Sequence, residues 1–142
     1  MKSIWIFQAL VDAPLKEVLD LFSNLRAGEF DEMAAPFIVA GKGKVHITYD
    51  NVLYVVTFAD GHREFASVDR EANMVAVQGE WWYRGEYTFT AEGDKTRVQL
   101  EVFNLADQEW MVSLMNVGAK RKHEAAFISL CRMAERVTRS TF

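Results

Sequence analysis

The sequence predicts an α+β fold in which a curved, seven-stranded antiparallel sheet wraps around one long C-terminal helix, with two short helices between the first and second strands. Two changes of period indicate this fold. Apolar residues recur with a period of two after Pro36, as in half-buried strands, and with a helical period of about 3.6 after Asp107. The apolar face of that helix needs a sheet to cover it. We interpret residues 1–142 as one domain.

The composition is that of a globular domain. Half of the 142 residues are hydrophobic and 13% are aromatic, which is enough for a substantial core. The net charge of -4 argues against nucleic acid as a partner. No apolar run reaches the ~18 residues of a membrane span, and the N-terminus lacks a signal-peptide cleavage pattern. The single cysteine, Cys131, cannot form an internal disulfide and fits a reducing compartment, so we expect a cytoplasmic protein.

The first third of the chain predicts one strand followed by two helices. Ser3–Val11 alternates as a strand, with Trp5, Phe7, Ala9 and Val11 on one face. Pro14 suits the first turn of a helix, and apolar residues then recur at helical spacing from Leu15 to Leu25. Phe30–Ala35 is predicted as a second short helix, which Pro36 ends.

Six further strands are predicted between Pro36 and Asp107. They are joined by short turns rich in Asp, Asn and Gly, such as Asp60-Gly61, which favour antiparallel hairpins. The predicted strands are Lys44–Tyr49, Leu53–Phe58, Arg63–Asp69, Met74–Glu80, Trp82–Thr90 and Lys95–Asn104. Hairpin-linked strands of this number form a meander, and a sheet of this size curls.

The last element is a predicted helix from Asp107 to Arg139. Asp107 is positioned to cap it, and its later part is rich in Arg, which suits the helix dipole. We predict that one apolar face points inward; its members are Trp110, Met111, Leu114, Val117, Gly118, Ala125 and Ile128. Arg121 falls within the same arc, where it is expected to anchor an anionic group or to pair with an acid at the sheet edge.

The order of elements resembles the helix-grip fold of the START-like (SRPBCC) superfamily. That superfamily includes birch-pollen-allergen-like proteins, polyketide cyclase/dehydrase-like proteins and lipid-transfer START domains. The local resemblance lies at Val11-Asp12-Ala13-Pro14-Leu15-Lys16-Glu17-Val18-Leu19, which is similar to the family's opening at the end of the first strand. The resemblance implies a largely apolar cavity between the sheet and the last helix. It transfers no catalytic residue.

Strand alternation predicts which side chains face this cavity. If Phe89 points inward, then Tyr87, Gly85 and Tyr83 do so as well, whereas Trp82, Arg84 and Glu86 point outward. Gln78 and Asn104 are inward-facing candidates under the same phase. The predicted cavity-lining residues are Tyr83, Tyr87, Phe89, Asn104, Trp110, Met111, Leu114, Gly118 and Arg121.

No metal or other cofactor is expected. His46, His62 and His123 lie on separate predicted elements without ligand spacing, and we interpret them as surface or polar-network residues. Cys131 has no predicted base nearby and is interpreted as a small buried hydrophobic residue. The sequence assigns no catalytic residue.

Three functions remain open at this point. The first is binding of a hydrophobic or amphipathic small molecule, such as a lipid, a polyketide or an aromatic metabolite. The second is a cofactor-independent cyclase or dehydratase, with Tyr83 or Tyr87 as the acid; no His, Asp or Glu is predicted to project into its cavity. The third is a protein-interaction module, including a homodimer, that presents Trp81 and Trp82.

Overall fold

A single antiparallel sheet and one long helix dominate the structure, a computed structural model that describes residues 1–106 and 109–139, with the stretch 109–117 described by its backbone alone. The elements in chain order are β1 (Lys2–Val11), α1 (Leu15–Phe22), β2 (Gly28–Phe30), a 3-10 helix (Phe37–Val39), β3 (Val45–Tyr49), β4 (Tyr54–Phe58), β5 (Arg63–Asp69), β6 (Met74–Gly79), β7 (Tyr83–Glu92), β8 (Lys95–Asn104) and α2 (Glu109–Arg139).

The sheet is an antiparallel meander with its first strand added at one edge. Its order is β1-β8-β7-β6-β5-β4-β3-β2, and every neighbouring pair is antiparallel. The predicted architecture is therefore confirmed, although the described residues form eight strands rather than seven. None of the helices in the described part of the chain has the length and apolar character that a membrane span requires.

The additional strand, β2, overlaps the second predicted helix at that helix's first residue, Phe30. Gly28–Phe30 pairs with β3, with Phe30 opposite Val45. After it, the Asp31 carboxylate accepts hydrogen bonds from the backbone N–H groups of Met33 and Ala34, at 3.1 and 2.9 Å. This local side-chain turn competes with helix formation, so the prediction of a helix over Phe30–Ala35 was wrong. The only helical residues in this region are those of the 3-10 helix after Pro36.

The inner face of the sheet carries the core. Trp5, Phe7, Ala9 and Val11 of β1 are all buried, which confirms the predicted alternation of that strand. At one end of this face, α1 and the last turns of α2 close over the sheet and leave the side chains almost wholly covered. We call this region the packed end; it contains Val11, Val18, Phe22, Thr96, Val98 and Ala134, each of which is 0% exposed.

The inward face of α2 differs from the predicted one. Phe127, Cys131, Ala134 and Thr138 are buried, whereas Ala125 and Ile128 are exposed. The prediction took its phase from the apolar residues at the start of the helix and extended it along the whole length. The spacing of four, three and four residues between the buried side chains is itself helical, and it defines a face rotated by about 100° from the predicted one at Ile128.

Candidate functional site

A cavity of about 550 Å³ lies between the inner face of the sheet and α2. Its walls come from the 3-10 helix and the loop after it, from β5 to β8, and from the middle of α2. The lining residues are Phe37, Ile38, Ala40, Lys42, His62, Glu64, Val77, Gly79, Tyr83, Tyr87, Leu100, His123, Ala126, Phe127, Ser129, Leu130 and Met133. A mostly apolar cavity of this size with a few polar groups is typical of a small-molecule site.

Two glycines lie in the part of the sheet that borders the cavity. Cross-strand pairing places Glu64 opposite Gly79 in one row, and Ala66, Val77 and Gly85 in the next. Gly79 and Gly85 contribute no side chain that reaches toward α2. We call this region the open end of the inner face, in contrast to the packed end.

Tyr83 forms one wall of the cavity by lying along its own strand. A Cβ atom at Gly85 would collide with the Tyr83 hydroxyl and would lie 3.0 Å from the Cζ atom of that ring. The ring therefore occupies the space above Gly85 and points along β7 toward Tyr87. Burial, with a smaller contribution from the negative charge of Glu64, raises the pKa of Tyr83 to about 12.

Tyr87 lies deeper than Tyr83, where the open end meets the packed end. It is 9% exposed, and its ring lies 5.6 Å from that of Phe22 and 6.4 Å from that of Phe127. Burial, followed by the charges of neighbouring groups that include Tyr83 and Glu64, raises the pKa of Tyr87 far above its ordinary value. Both phenols are protonated at neutral pH.

His123 of α2, which the sequence analysis interpreted as a surface or polar-network residue, also lines the cavity. Its ring stacks on Tyr83 with 5.4 Å between centroids and 15° between planes, and it lies 5.3 Å from Trp5 and 6.0 Å from Trp82. Burial lowers the pKa of His123, so the imidazole is neutral at neutral pH. A neutral ring nitrogen can accept a proton or a hydrogen bond, and this ring lies against a phenol.

Charged groups line the rim of the cavity. The Lys42 Nζ atom lies 3.9 Å from the Glu64 Oε1 atom, with the lysine side chain 51% exposed and the glutamate side chain 19% exposed. His62 stacks on Phe58 at 4.4 Å, and its Nδ1 atom lies 3.0 Å from the Asp60 carboxylate. One side of the cavity therefore carries a loose ion pair and polar rings, whereas α2 contributes mainly apolar side chains there.

The predicted cavity-lining residues separate into three groups. Tyr83 and Tyr87 line the cavity. Phe89 and Asn104 are both 3% exposed but lie outside it: Phe89 packs 5.0 Å from Phe22 in the packed end, and the Asn104 carboxamide oxygen accepts a hydrogen bond from the Ala106 backbone. Trp110, Met111 and Leu114 lie outside the described side chains.

Gly118 and Arg121 do not line the described cavity. Both are exposed, and a Cβ atom at Gly118 would meet nothing within 4 Å. Gly118 lies nine residues before Phe127, which corresponds to about 180° around the helix. Arg121 was predicted to anchor an anionic group at the cavity mouth or to pair with an acid at the sheet edge, and its exposed side chain is not among the residues that line the cavity.

Two predicted orientations on the sheet were also wrong. Trp82 does not point outward: its ring packs edge-on against Trp5 at 6.1 Å, because β7 begins at Tyr83 and strand alternation does not extend to residue 82. Gln78 is on the outer face, where its Oε1 atom accepts a hydrogen bond from Arg84 at 3.2 Å. Trp81, which is 58% exposed, remains at the surface.

Cys131 is buried at 0% exposure, as predicted, and burial raises the pKa of its thiol to about 12. The thiol is therefore protonated at neutral pH in the folded chain. No group of three His, Cys, Asp or Glu side chains within the described residues is arranged to hold a metal ion.

Solved structures with the same fold show how these elements compare with known proteins. The di-domain ARO/CYC StfQ from the steffimycin biosynthetic pathway matches with a TM-score of 0.57 and 18% identity, over 96% of this chain and 46% of that one. The chain thus spans about half the length of StfQ. TTHA0849 from Thermus thermophilus matches with a TM-score of 0.53 and 17% identity, over 92% of this chain and 93% of that one.

Norcoclaurine synthase from Thalictrum flavum matches with a TM-score of 0.53 and 16% identity, over 93% of this chain and 87% of that one. The chain has the helix-grip fold. At these identities, the likeness establishes the fold of the chain and not its activity. No protein-family model matches the sequence, and no curated protein does.

Sequence analysis missed several polar residues of this helix-grip cavity, notably His123 and Glu64. Glu64 was hidden because β5 has polar residues on both faces, so its pattern does not reveal which face is inward. His123 was missed because the rotation of α2 was wrong. The spacing of Phe127, Leu130, Cys131 and Ala134 was the available signal, since extending it by one turn toward the N-terminus brings His123 onto the inward face.

Proposed function

We propose that the chain binds a hydrophobic or amphipathic small molecule in the cavity between the sheet and α2. The observation that supports this most directly is the cavity itself, which has about 550 Å³ of space at the open end of an otherwise well-packed face. Leaving this volume unfilled sacrifices packing contacts, and a ligand restores them. The fold shared with StfQ and norcoclaurine synthase agrees with a small-molecule function.

A pair of neighbouring alanines on α2 allows a matched test. Both alanines are exposed, but Ala126 lines the cavity and Ala125 does not. We expect saturable binding of the neutral dye diphenylhexatriene to the wild type, measured by its fluorescence. Ala126→Trp should weaken binding by about fivefold or more, since overfilling an apolar site costs at least ~1 kcal/mol. Ala125→Trp should bind the dye as the wild type does.

Two results would contradict the proposal. One is no saturable binding of any apolar dye by the wild type, together with no organic molecule retained when protein purified from cells is analysed by native mass spectrometry. The other is equal dye binding by both tryptophan variants, which would place the dye somewhere other than this cavity. A retained polypeptide in the mass spectrum would favour the interaction module instead.

A second candidate is a cofactor-independent acid–base enzyme of the cyclase or dehydratase type. The observation that favours it is the neutral His123 stacked on the protonated Tyr83, with both side chains lining the cavity. An imidazole and a phenol in this arrangement supply a base and an acid to one bound molecule. The earlier argument against catalysis, that no His, Asp or Glu projects into the cavity, does not hold for this site.

Proton exchange tests this candidate without knowledge of the natural substrate. Beta-tetralone, a neutral ketone with acidic C–H groups, should exchange these protons for deuterium faster with protein than without it, as followed by NMR. His123→Gln should slow that exchange, and His46→Gln, which alters an exposed histidine away from the cavity, should not. Exchange at the buffer rate in the presence of wild-type protein would exclude this activity for ketones of this type.

A further inference from the structure

The two phenols of β7 are brought together by the glycine between them. Tyr83 and Tyr87 share the inner face of the strand, and Tyr83 extends over Gly85 toward Tyr87 because residue 85 has no side chain in the way. A larger residue there would force the ring of Tyr83 away. This arrangement points the Tyr83 hydroxyl along the strand toward Tyr87, and the two residues are close enough for Tyr83 to contribute to the raised pKa of Tyr87. Both residues line the cavity, with Tyr87 at the deeper position.

Neither hydroxyl makes a hydrogen bond within the part of the chain that the structure describes. Tyr87 is nevertheless 9% exposed, and buried polar groups in folded proteins nearly always have partners. The buried hydroxyl of Thr96, by contrast, donates to the Ala13 carbonyl oxygen at 2.8 Å. With respect to the described residues, the phenols thus have unused hydrogen-bonding capacity, and both residues line the space that a ligand would occupy.

The charge around the phenols restricts which ligand group suits them. Burial and the negative charge of Glu64 both disfavour a phenolate at Tyr83 and at Tyr87, so each phenol keeps its proton and acts as a donor. The same two effects disfavour an anionic ligand group at this position. The complementary group is an oxygen that accepts hydrogen bonds and carries no formal charge.

We infer that Tyr83 and Tyr87 form a subsite for a neutral carbonyl oxygen, so that the molecule bound in the cavity is an apolar or aromatic ketone, quinone, ester or amide rather than a carboxylic acid. This inference rests on the proposed binding function and specifies its ligand class. The apolar side chains Phe37, Val77, Leu100, Phe127 and Leu130 surround the remainder of the ligand. Lys42 and Glu64 remain at the rim as an ion pair.

Three probes that share one ring system separate this subsite from simple apolar binding. They are naphthyl methyl ketone, ethylnaphthalene and naphthoate, each substituted at the same ring carbon. The wild type should bind the ketone most tightly and the carboxylate most weakly, as measured by calorimetry. An isotope-labelled ketone should show its carbonyl stretch at lower frequency when bound than in an aprotic solvent, because hydrogen bonds weaken the C=O bond.

Phenylalanine variants remove the hydroxyl groups and keep the rings. Tyr83→Phe and Tyr87→Phe should each lower the affinity for the ketone by about fivefold, the value of one net hydrogen bond, and leave the affinity for ethylnaphthalene within about twofold. Each should also raise the frequency of the bound carbonyl stretch. Tyr49→Phe is the control, since Tyr49 is 47% exposed and stacks on Tyr54 in the β3–β4 hairpin.

The outcomes distinguish this inference from the proposal on which it rests. If ethylnaphthalene binds but the ketone has no advantage, or if the phenylalanine variants change neither the affinity nor the carbonyl frequency, the subsite is refuted and the binding function stands. If naphthoate binds most tightly, the ligand class is wrong. If none of the three probes binds and no dye binds, the binding function fails and the subsite fails with it.

Discussion

The packed end and the open end lie on the same inner face of one sheet, but they differ in how closely their side chains pack and in whether their buried hydroxyl groups are hydrogen-bonded. At the packed end, large residues such as Phe22 meet other rings at about 5 Å, and the buried hydroxyl of Thr96 is hydrogen-bonded. At the open end, glycines replace large residues, and the hydroxyls of Tyr83 and Tyr87 have no partner within the described residues.

We infer from this difference that the two ends of the inner face have separate roles. Close packing of apolar residues and hydrogen bonding of buried polar groups stabilise a fold. The packed end has both features. The open end leaves a cavity of about 550 Å³ unfilled, and its two phenols make no hydrogen bonds to the described residues. Such local concessions are typical of binding sites, where a ligand supplies what the chain leaves out. Substitutions at the packed end should therefore affect stability, and substitutions at the open end should mainly affect binding.

The largest effect is expected at the packed end. Phe22→Ala removes a ring that is 0% exposed and contacts Phe37, Tyr87 and Phe89, and it should lower the free energy of unfolding by about 3–5 kcal/mol. Met133→Ala, at the open end and at a residue 40% exposed, should cost about 1 kcal/mol or less. Urea unfolding measures the free energy of unfolding of each variant. Similar losses in Phe22→Ala and Met133→Ala would contradict the distinction between the two ends.

The next effect compares two glycines of the open end. A Cβ atom at Gly85 would collide with the Tyr83 hydroxyl and lie 3.1 Å from the Leu100 Cδ1 atom, whereas one at Gly79 would meet nothing closer than 3.9 Å. Gly85→Ala should displace Tyr83, weaken ketone binding and cost about 1–3 kcal/mol of stability. Gly79→Ala should leave the affinity for the ketone and the free energy of unfolding near their wild-type values. The comparison fails if the two variants are indistinguishable by calorimetry and by urea unfolding.

A smaller effect, of opposite sign, is expected on the outer side of α2. Since a Cβ atom at Gly118 would meet nothing within 4 Å, Gly118→Ala should raise the free energy of unfolding by up to about 1 kcal/mol through helix propensity. Gly118→Leu should bind dye as the wild type does. Loss of dye binding in Gly118→Leu would show that this residue lines the cavity. It would contradict the assignment of Phe127, Cys131 and Ala134 to the inward face of α2.

The smallest effect concerns pH and His123. Burial lowers the pKa of His123 in the folded chain below its ordinary value of 6.5, so the unfolded chain binds the proton first as the pH falls. Stability attributable to this group is therefore complete above pH 6.5 and declines below it, until the folded imidazole is also protonated. Urea midpoints at about pH 7.5 and about pH 5.5, on either side of the ordinary imidazole pKa, measure the decline.

The histidine variants separate this contribution from that of the carboxylates. His123→Gln should show a smaller decline than the wild type between the two pH values, because its side chain does not titrate. His46→Gln, at an exposed histidine, should decline as the wild type does. An unchanged decline in His123→Gln would mean that burial does not perturb this imidazole.

Sequence alone determined the elements whose pattern is local. Alternation along β7 correctly placed Tyr83, Gly85 and Tyr87 on the inner face, and the helical period after Asp107 correctly predicted α2, because each side chain's direction follows from the backbone geometry of its own element. The turn residues correctly indicated an antiparallel meander. These features carried the prediction of the fold and of two phenols in the cavity wall.

Tertiary structure decided the features that depend on a second element. The rotation of α2 is set by which side chains the sheet can bury, and this brought His123 inward and turned Gly118 and Arg121 outward. The three residues of β2 are too few to show a period and exist as a strand because β3 offers hydrogen-bonding partners. The position of Trp82 follows from where β7 begins and from the Trp5 ring beside it. Such choices depend on contacts between residues far apart in the chain, which a local pattern does not contain.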